Sequence, residues 1–169
     1  MAFIFVQALV AWFYSHLLEY GLHRVLHDYK RFPQFFKHHF GQHHKVSRNN
    51  EMYDKNYETF SDASYFEFKS VLLILVLHSP LILIFPYAYA TLFFCAINYY
   101  YMHRKAHINV EWGRKKIPWH YDHHMNKDQH FNWGVRSDII DRLFGTRQID
   151  EIRPHSNKRS KHRKVGEMV

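Results

Sequence analysis

The sequence predicts an all-α protein: an integral membrane helical bundle of about three short transmembrane helices beneath a cytoplasmic helical cap. Three observations lead there. Lys, Arg, Asp and Glu are missing from Met1–Leu18 and from Val71–Met102, and all 23 Lys and Arg lie outside these two stretches. Pro80 and Pro86 interrupt the second stretch. The chain holds 16 histidines, and most stand in groups just beyond the ends of the apolar stretches. A helix on a soluble core keeps a polar solvent face, so long charge-free segments point to a bilayer.

Helix 1 is predicted from Ala2 through the Leu26 region. It lacks the basic leader and small-residue cleavage site of a signal peptide, and reads as an uncleaved anchor flanked by Arg24, Lys30 and Arg31. A single helix over Val71–Met102 would be ~48 Å long at ~1.5 Å per residue. The hydrocarbon core is only ~30 Å thick, and proline breaks or kinks a helix. Two helices in a hairpin fit better, roughly Tyr65–Phe85 and Tyr87–Met102. Three crossings bring the ends of helices 1 and 3 to one side, and so does a re-entrant hairpin. The positive-inside rule makes that side cytoplasmic, with Tyr99, Tyr100 and Tyr101 in an interfacial belt. The membrane is then the endoplasmic reticulum in a eukaryote or the inner membrane in a bacterium.

From Asn109 to Asp150 the chain is polar yet rich in Trp and Phe, which predicts one or two helices lying on the membrane. Residues 1–152 are expected to form one embedded domain. Residues 153–169 are expected to form a basic, disordered tail near anionic headgroups. The formal charge of +8 could also suit nucleic acid, but a membrane-embedded body argues against that partner. The single cysteine, Cys95, allows no intrachain disulfide.

The histidines form four boxes: His23 with His27; His39 with His43 and His44; His103 with His107; and His120 with His123 and His124. On a helix, residues three or four apart share a face. His23 therefore points with His27, His103 with His107, and His120 with both His123 and His124. Adjacent residues diverge by ~100°, so His43 and His44 can reach different ions, as can His123 and His124. Ten imidazoles are too many for one ion; two ions with about five nitrogens each would use them. A structural zinc site takes about four ligands, often with Cys, and would leave most of the boxes unused. The cap is thus expected to hold a His-rich dimetal site.

Several residues beside the boxes are candidates for outer partners of the ligands or for a substrate tunnel. They are His16, Glu19, Asp28, Asp122, Asp128, His130 and Asn132, because metal-bound histidines donate their other N–H to a carboxylate or carbonyl. His38 competes with His39 for the ligand role. His78 reads as a hydrogen-bonded intramembrane residue, and His155 and His162 as members of the basic tail. Two rival readings use the same residues. One is a membrane metal carrier or sensor; the other is a bis-histidine haem protein, for which His16 and His78 are the intramembrane candidates.

The boxes, in this order and between these apolar segments, resemble the fatty acid hydroxylase and sterol desaturase superfamily. The likeness continues through Asn132-Trp133-Gly134-Val135 and Asp141-Arg142-Leu143-Phe144-Gly145-Thr146, and covers about Leu18 to Arg147. It implies that His23, His27, His39, His43, His44, His103, His107, His120, His123 and His124 hold two iron ions, with zinc able to replace them in purified samples. It further implies O₂-dependent hydroxylation of a lipid drawn from the bilayer, or desaturation on the same site. No fused b-type cytochrome is present, so electrons are expected from a separate b-type cytochrome, or from a ferredoxin and its reductase. Carotenoid ring hydroxylases are similarly short, but the Asp-Arg-Leu-Phe-Gly-Thr ending is closer to the fatty acid and sterol branch.

Overall fold

The computed structural model describes residues 1–149. The basic tail with His155 and His162, and the domain boundary at 152, lie outside the described residues. Regular structure among the described residues is entirely helical.

Helix α1 runs Ala2–Leu26. Gln7, Ala11, Ser15 and His23 are buried at helical spacing along one side, whereas Phe3, Phe5, Leu9, Val10 and Trp12 are exposed. Two short helices follow box 1 and box 2, α2 at Pro33–Phe36 and α3 at Lys45–Asn49, with a π-helix at Lys37–His44 between them. After α4 (Asn56–Thr59) comes the long helix α5, Asp62–His78. A single turn, α6 at Leu81–Ile84, leads into α7, Pro86–Ile108. The chain closes with α8 (Val110–Lys116), α9 (Pro118–Met125) and α10 (Ile139–Leu143).

Two predicted boundaries move. The second long helix ends at His78 rather than near Phe85, because Pro80 has no N–H to continue the ladder. The third starts at Pro86, where a missing N–H costs nothing in the first turn. It then continues to Ile108, past the predicted end at Met102, and carries box 3 as regular α-helix. The stretch after Asn109 holds three short helices where one or two were predicted.

Among the described helices, α1 alone is long and apolar enough to cross a membrane. Helix α5 has 17 residues, and α7 mixes tyrosines and charges into its apolar run. Leu72, Leu73, Val76 and Leu77 on α5, and Phe93, Phe94 and Ile97 on α7, are nevertheless exposed. An apolar surface that wide is what an interaction with lipid or protein leaves uncovered in isolation. Helices α1 and α5 each pack along α7, which lies between them.

The cap has its own dry core, where Met52, Ala106, Ile117 and Val135 are all 0% exposed. A second cluster of Tyr20, Trp133 and Ile140 fixes the C-terminal segment against α1. Gly134 belongs to this junction. A Cβ there would lie 2.1 Å from the Ser137 carbonyl oxygen, so only glycine allows the chain to fold back so closely.

Candidate metal centre

All ten box histidines are buried, each at 9% exposure or less. They divide into two groups. Nitrogens of His23, His27, His39, His44 and His123 lie within 4.8 Å of one another, and so do nitrogens of His43, His103, His107 and His124. His120 falls in neither set but stands beside the second, its Nε2 3.3 Å from His107 Nε2. Its ring centroid is 4.7 Å from that of His124 and 6.2 Å from that of His123. The predicted three-way sharing of a face in box 4 thus splits, with His123 joining the other group.

The division of box 2 follows from the π-helix. Four-residue spacing on an α-helix would stack His39 over His43. The wider π turn closes hydrogen bonds from i to i+5 and stacks His39 over His44 instead. Their Nε2 atoms are 3.1 Å apart, while His43 turns to the second group, its ring 4.4 Å from that of His107.

The imidazoles are oriented by their outer nitrogens. His23 Nδ1 donates to the Trp133 carbonyl (2.6 Å), His123 Nδ1 to that of Phe131 (2.6 Å), and His107 Nδ1 to that of Met52 (2.8 Å). Two rings are backed by carboxylates. His43 Nδ1 is 2.9 Å from Asp54 Oδ2, and His103 Nδ1 is 2.7 Å from Glu67 Oε1. The Tyr57 hydroxyl donates to Glu67 Oε2 (2.6 Å) and holds it there. Such contacts fix the tautomer and turn the other nitrogen's lone pair inward.

The inward nitrogens are left without partners. His43 Nε2, His103 Nε2, His123 Nε2, and both nitrogens of His124 are buried with no hydrogen bond. Elsewhere lone pairs face one another: His23 Nε2 is 3.0 Å from His39 Nε2, and His27 Nε2 is 3.3 Å from His44 Nε2. Buried polar atoms without partners are costly. Nitrogens ~2.1 Å from a shared ion and ~90° apart would stand ~3.0 Å from each other, so the spacing suits cations at both positions. Burial, reinforced by neighbouring imidazoles, pushes His39, His43, His44, His120, His123 and His124 well below the usual histidine range. For the same reasons His27 falls to about 2. The rings are therefore neutral, which is the ligating form. The donor set fits metals that favour imidazole.

Beneath the histidines lies a cavity of about 330 Å³ between α1, α5 and α7. His23, His39, His43 and His103 form its head, and Leu22, Leu73, Ile74 and Leu92 are among its walls. His38 is at its rim, stacked on Phe66 at 4.4 Å and bonded to Gln42, and is apart from both groups.

The predicted outer partners behave differently. His16 is buried, but its ring packs on Trp12 (4.6 Å) and it does not line the cavity. Glu19 lines the cavity without touching a box histidine. It pairs with Arg136 (2.7 Å) and accepts the backbone N–H groups of Val135 and Arg136. Asn132 bonds the backbone of Gln148, and Asp122 lies 4.0 Å from Arg147. Asp28 and Asp128 each accept a local backbone N–H in a turn. His130 is exposed, with its ring 5.6 Å from that of His27. His78 donates to the Ile74 carbonyl and accepts from the Tyr14 hydroxyl (3.0 Å). His16 and His78 are thus engaged separately and do not form the facing pair a haem would need.

The partners missed by sequence reasoning are Asp54, Glu67 and Tyr57, along with three main-chain carbonyls. Asp54 lies 11 residues beyond His43, past the reach of helical spacing, and a carbonyl leaves no trace in side-chain identity. The Asn-Trp-Gly-Val signature does carry a signal in hindsight. Asp141 accepts from the N–H groups of Trp133 (2.9 Å) and Gly134 (2.8 Å), and from the Thr146 hydroxyl (2.8 Å). That staple holds the Trp133 carbonyl against His23.

No curated protein and no solved structure matches the chain significantly. The fatty acid hydroxylase family matches over residues 8–146, a span that takes in all ten box histidines, both carboxylates behind them and the Asp141 staple. The chain belongs to the fatty acid hydroxylase family.

Proposed function

We propose that this protein is a membrane-bound oxygenase that uses O₂ to hydroxylate an unactivated C–H bond of a fatty acyl, sphingolipid or sterol-like lipid. One observation carries the reading. Two groups of neutral, inward-facing imidazoles stand at the head of an apolar cavity of about 330 Å³. In this reading α1, α5 and α7 are embedded in the membrane with the boxes on the cytoplasmic side, and the exposed apolar faces of α5 and α7 meet lipid.

The first group and the second, with His120 beside it, would each hold one iron ion. Bound iron supplies the O₂ activation and the one-electron chemistry that amino-acid side chains lack. The chain itself does the rest. Carbonyls and carboxylates on the outer nitrogens keep the ring lone pairs aimed inward. Leucine and isoleucine walls exclude water and hold an apolar chain with its reacting carbon beneath His23, His39, His43 and His103. The histidines need not exchange protons during turnover.

The test is lipid mass spectrometry of cells expressing the intact protein beside cells expressing His123→Ala, with iron and an electron donor supplied. A lipid heavier by one oxygen, present only with the intact protein, is expected. A lipid lighter by two hydrogens would change the reading to desaturase. No difference, with iron present in the membranes, would refute lipid oxidation in that host's lipids. Zinc in a purified sample would not count against iron, since zinc binds such sites more tightly than ferrous iron.

A further inference from the structure

The histidine cluster has a second approach, opposite in character to the apolar cavity. A cavity of about 470 Å³ opens on the cap beside His44, with Lys45, Arg48 and Lys127 among its lining residues and no Asp or Glu. Arg48 is committed internally: its guanidinium donates to the carbonyls of His124 (3.3 Å) and Asn126 (2.6 Å), holding the end of α9. Lys45 and Lys127 are exposed, and among the described residues their ammonium groups form no ion pair or hydrogen bond.

From this opening a stack of rings leads inward. Phe40 lies over His44 at 5.2 Å and 20°, and His44 over His124 at 4.1 Å and 29°. His44 belongs to the first nitrogen group and His124 to the second. One short path thus connects the cap surface to both.

Hydroxylation sets a requirement that this path can meet. One atom of O₂ enters the C–H bond and the other leaves as water, so R–H + O₂ + 2e⁻ + 2H⁺ gives R–OH + H₂O. The two electrons must come from outside. The apolar cavity is filled by substrate and faces lipid, so a donor has to approach from the cap.

We propose that the basic concavity over His44 is the docking face for an acidic one-electron carrier protein, with His44 and His124 as the route to both metal positions. This rests on the oxygenase reading for its purpose, but the docking itself does not depend on turnover. Unpaired lysines steer an acidic partner and raise its association rate. They also predict a strong dependence on ionic strength, because the Debye length shrinks from about 30 Å at 0.01 M salt to about 10 Å at 0.1 M.

The experiment measures binding of the soluble haem domain of an acidic b-type cytochrome to the full-length, metal-loaded protein in nanodiscs of neutral lipid. The double variant Lys45→Glu/Lys127→Glu is the comparison. Affinity is expected to fall at least about tenfold in the variant and to lose most of its salt dependence, with metal content unchanged. A control pair on another face, Lys115→Glu/Lys116→Glu, is expected to bind like the parent. Equal binding by the parent and by Lys45→Glu/Lys127→Glu, or no binding by the parent at low salt, would overturn the proposal. So would capture of anionic vesicles, but not of the cytochrome domain, by the same lysines. Turnover separates the two readings. If the variant is slow with the protein donor but normal with a small chemical reductant, docking and oxygenase chemistry both stand. If the parent binds the carrier through these lysines but oxidises no lipid under any donor, the docking face stands and the oxygenase reading fails.

Discussion

The two histidine groups are built from the same side chain but backed differently. In the first, His23 and His123 lean on the main-chain carbonyls of Trp133 and Phe131. In the second, His43 and His103 lean on the carboxylates of Asp54 and Glu67. A carboxylate makes its imidazole a more basic ligand than a carbonyl does, and adds negative charge near the ion. The first group instead depends on a distant piece of chain being docked correctly, since the Trp133 carbonyl reaches His23 only while Asp141 and Gly134 hold the fold-back. One position is thus secured by charge, the other by tertiary structure, and different changes should break them.

Removal of a ligand has the largest expected effect. His123→Ala and His124→Ala should each lower turnover by at least about 100-fold, since outer partners alone command about 10–100-fold. Metal analysis should show bound ions falling from two per chain toward one, with the missing ion belonging to the first group in one variant and the second in the other. Equal loss of both ions from each variant would mean the groups are not separable.

Acid should act on both groups together. Burial keeps the folded rings neutral far below the ordinary histidine value, to about 2 for His27, while the unfolded chain takes up protons near pH 6.5. The unfolded state then binds more protons, so stability is greatest above about pH 6.5 and declines as the pH falls toward the folded values. Thermal unfolding followed by circular dichroism should shift to lower temperature between pH 7 and pH 5, with metal released over the same range. An unchanged midpoint would count against buried neutral imidazoles.

Asp54→Asn tests the charge-secured half. Metal affinity of the second group should drop by about 10–100-fold with little change at the first, as read by competition with a chelator. Gly134→Ala tests the other half. The new Cβ cannot fit at 2.1 Å from the Ser137 carbonyl, so the fold-back must shift at a cost of about 1–3 kcal/mol. The melting temperature should fall by about 2–8 °C, and the first group should lose metal before the second. The smallest effect is expected from His38→Ala, whose ring packs on Phe66 outside both groups. Its metal content should match the parent's, and loss of an ion would place His38 among the ligands.

Much of this architecture was legible because helical spacing is a strong constraint. His23 with His27 and His103 with His107 lie on regular α-helix, where residues one turn apart face together. Pro80 and Pro86 marked the break between the long helices for reasons of backbone chemistry alone. Box 2 was less readable, since periodicity cannot reveal that a segment closes its hydrogen bonds one residue further along. The outer partners were least readable. Glu19, Asn132 and Asp128 are near the boxes in sequence but are spent on holding backbone. Asp54 and Glu67 meet their histidines only because α4 and α5 fold back over the site.

The π-helix also makes box 2 sensitive to length in a way its composition does not suggest. Each of its turns holds roughly one residue more than an α turn, so losing one residue between His39 and His43 would let the segment relax to the commoner helix. Every histidine would survive such a deletion, and so would most of the buried surface, yet each would face a different neighbour. Single-residue insertions and deletions at Gly41 are therefore a sharper evolutionary barrier here than substitution. Two chains that share all ten histidines but differ by one in this spacing would not share a site.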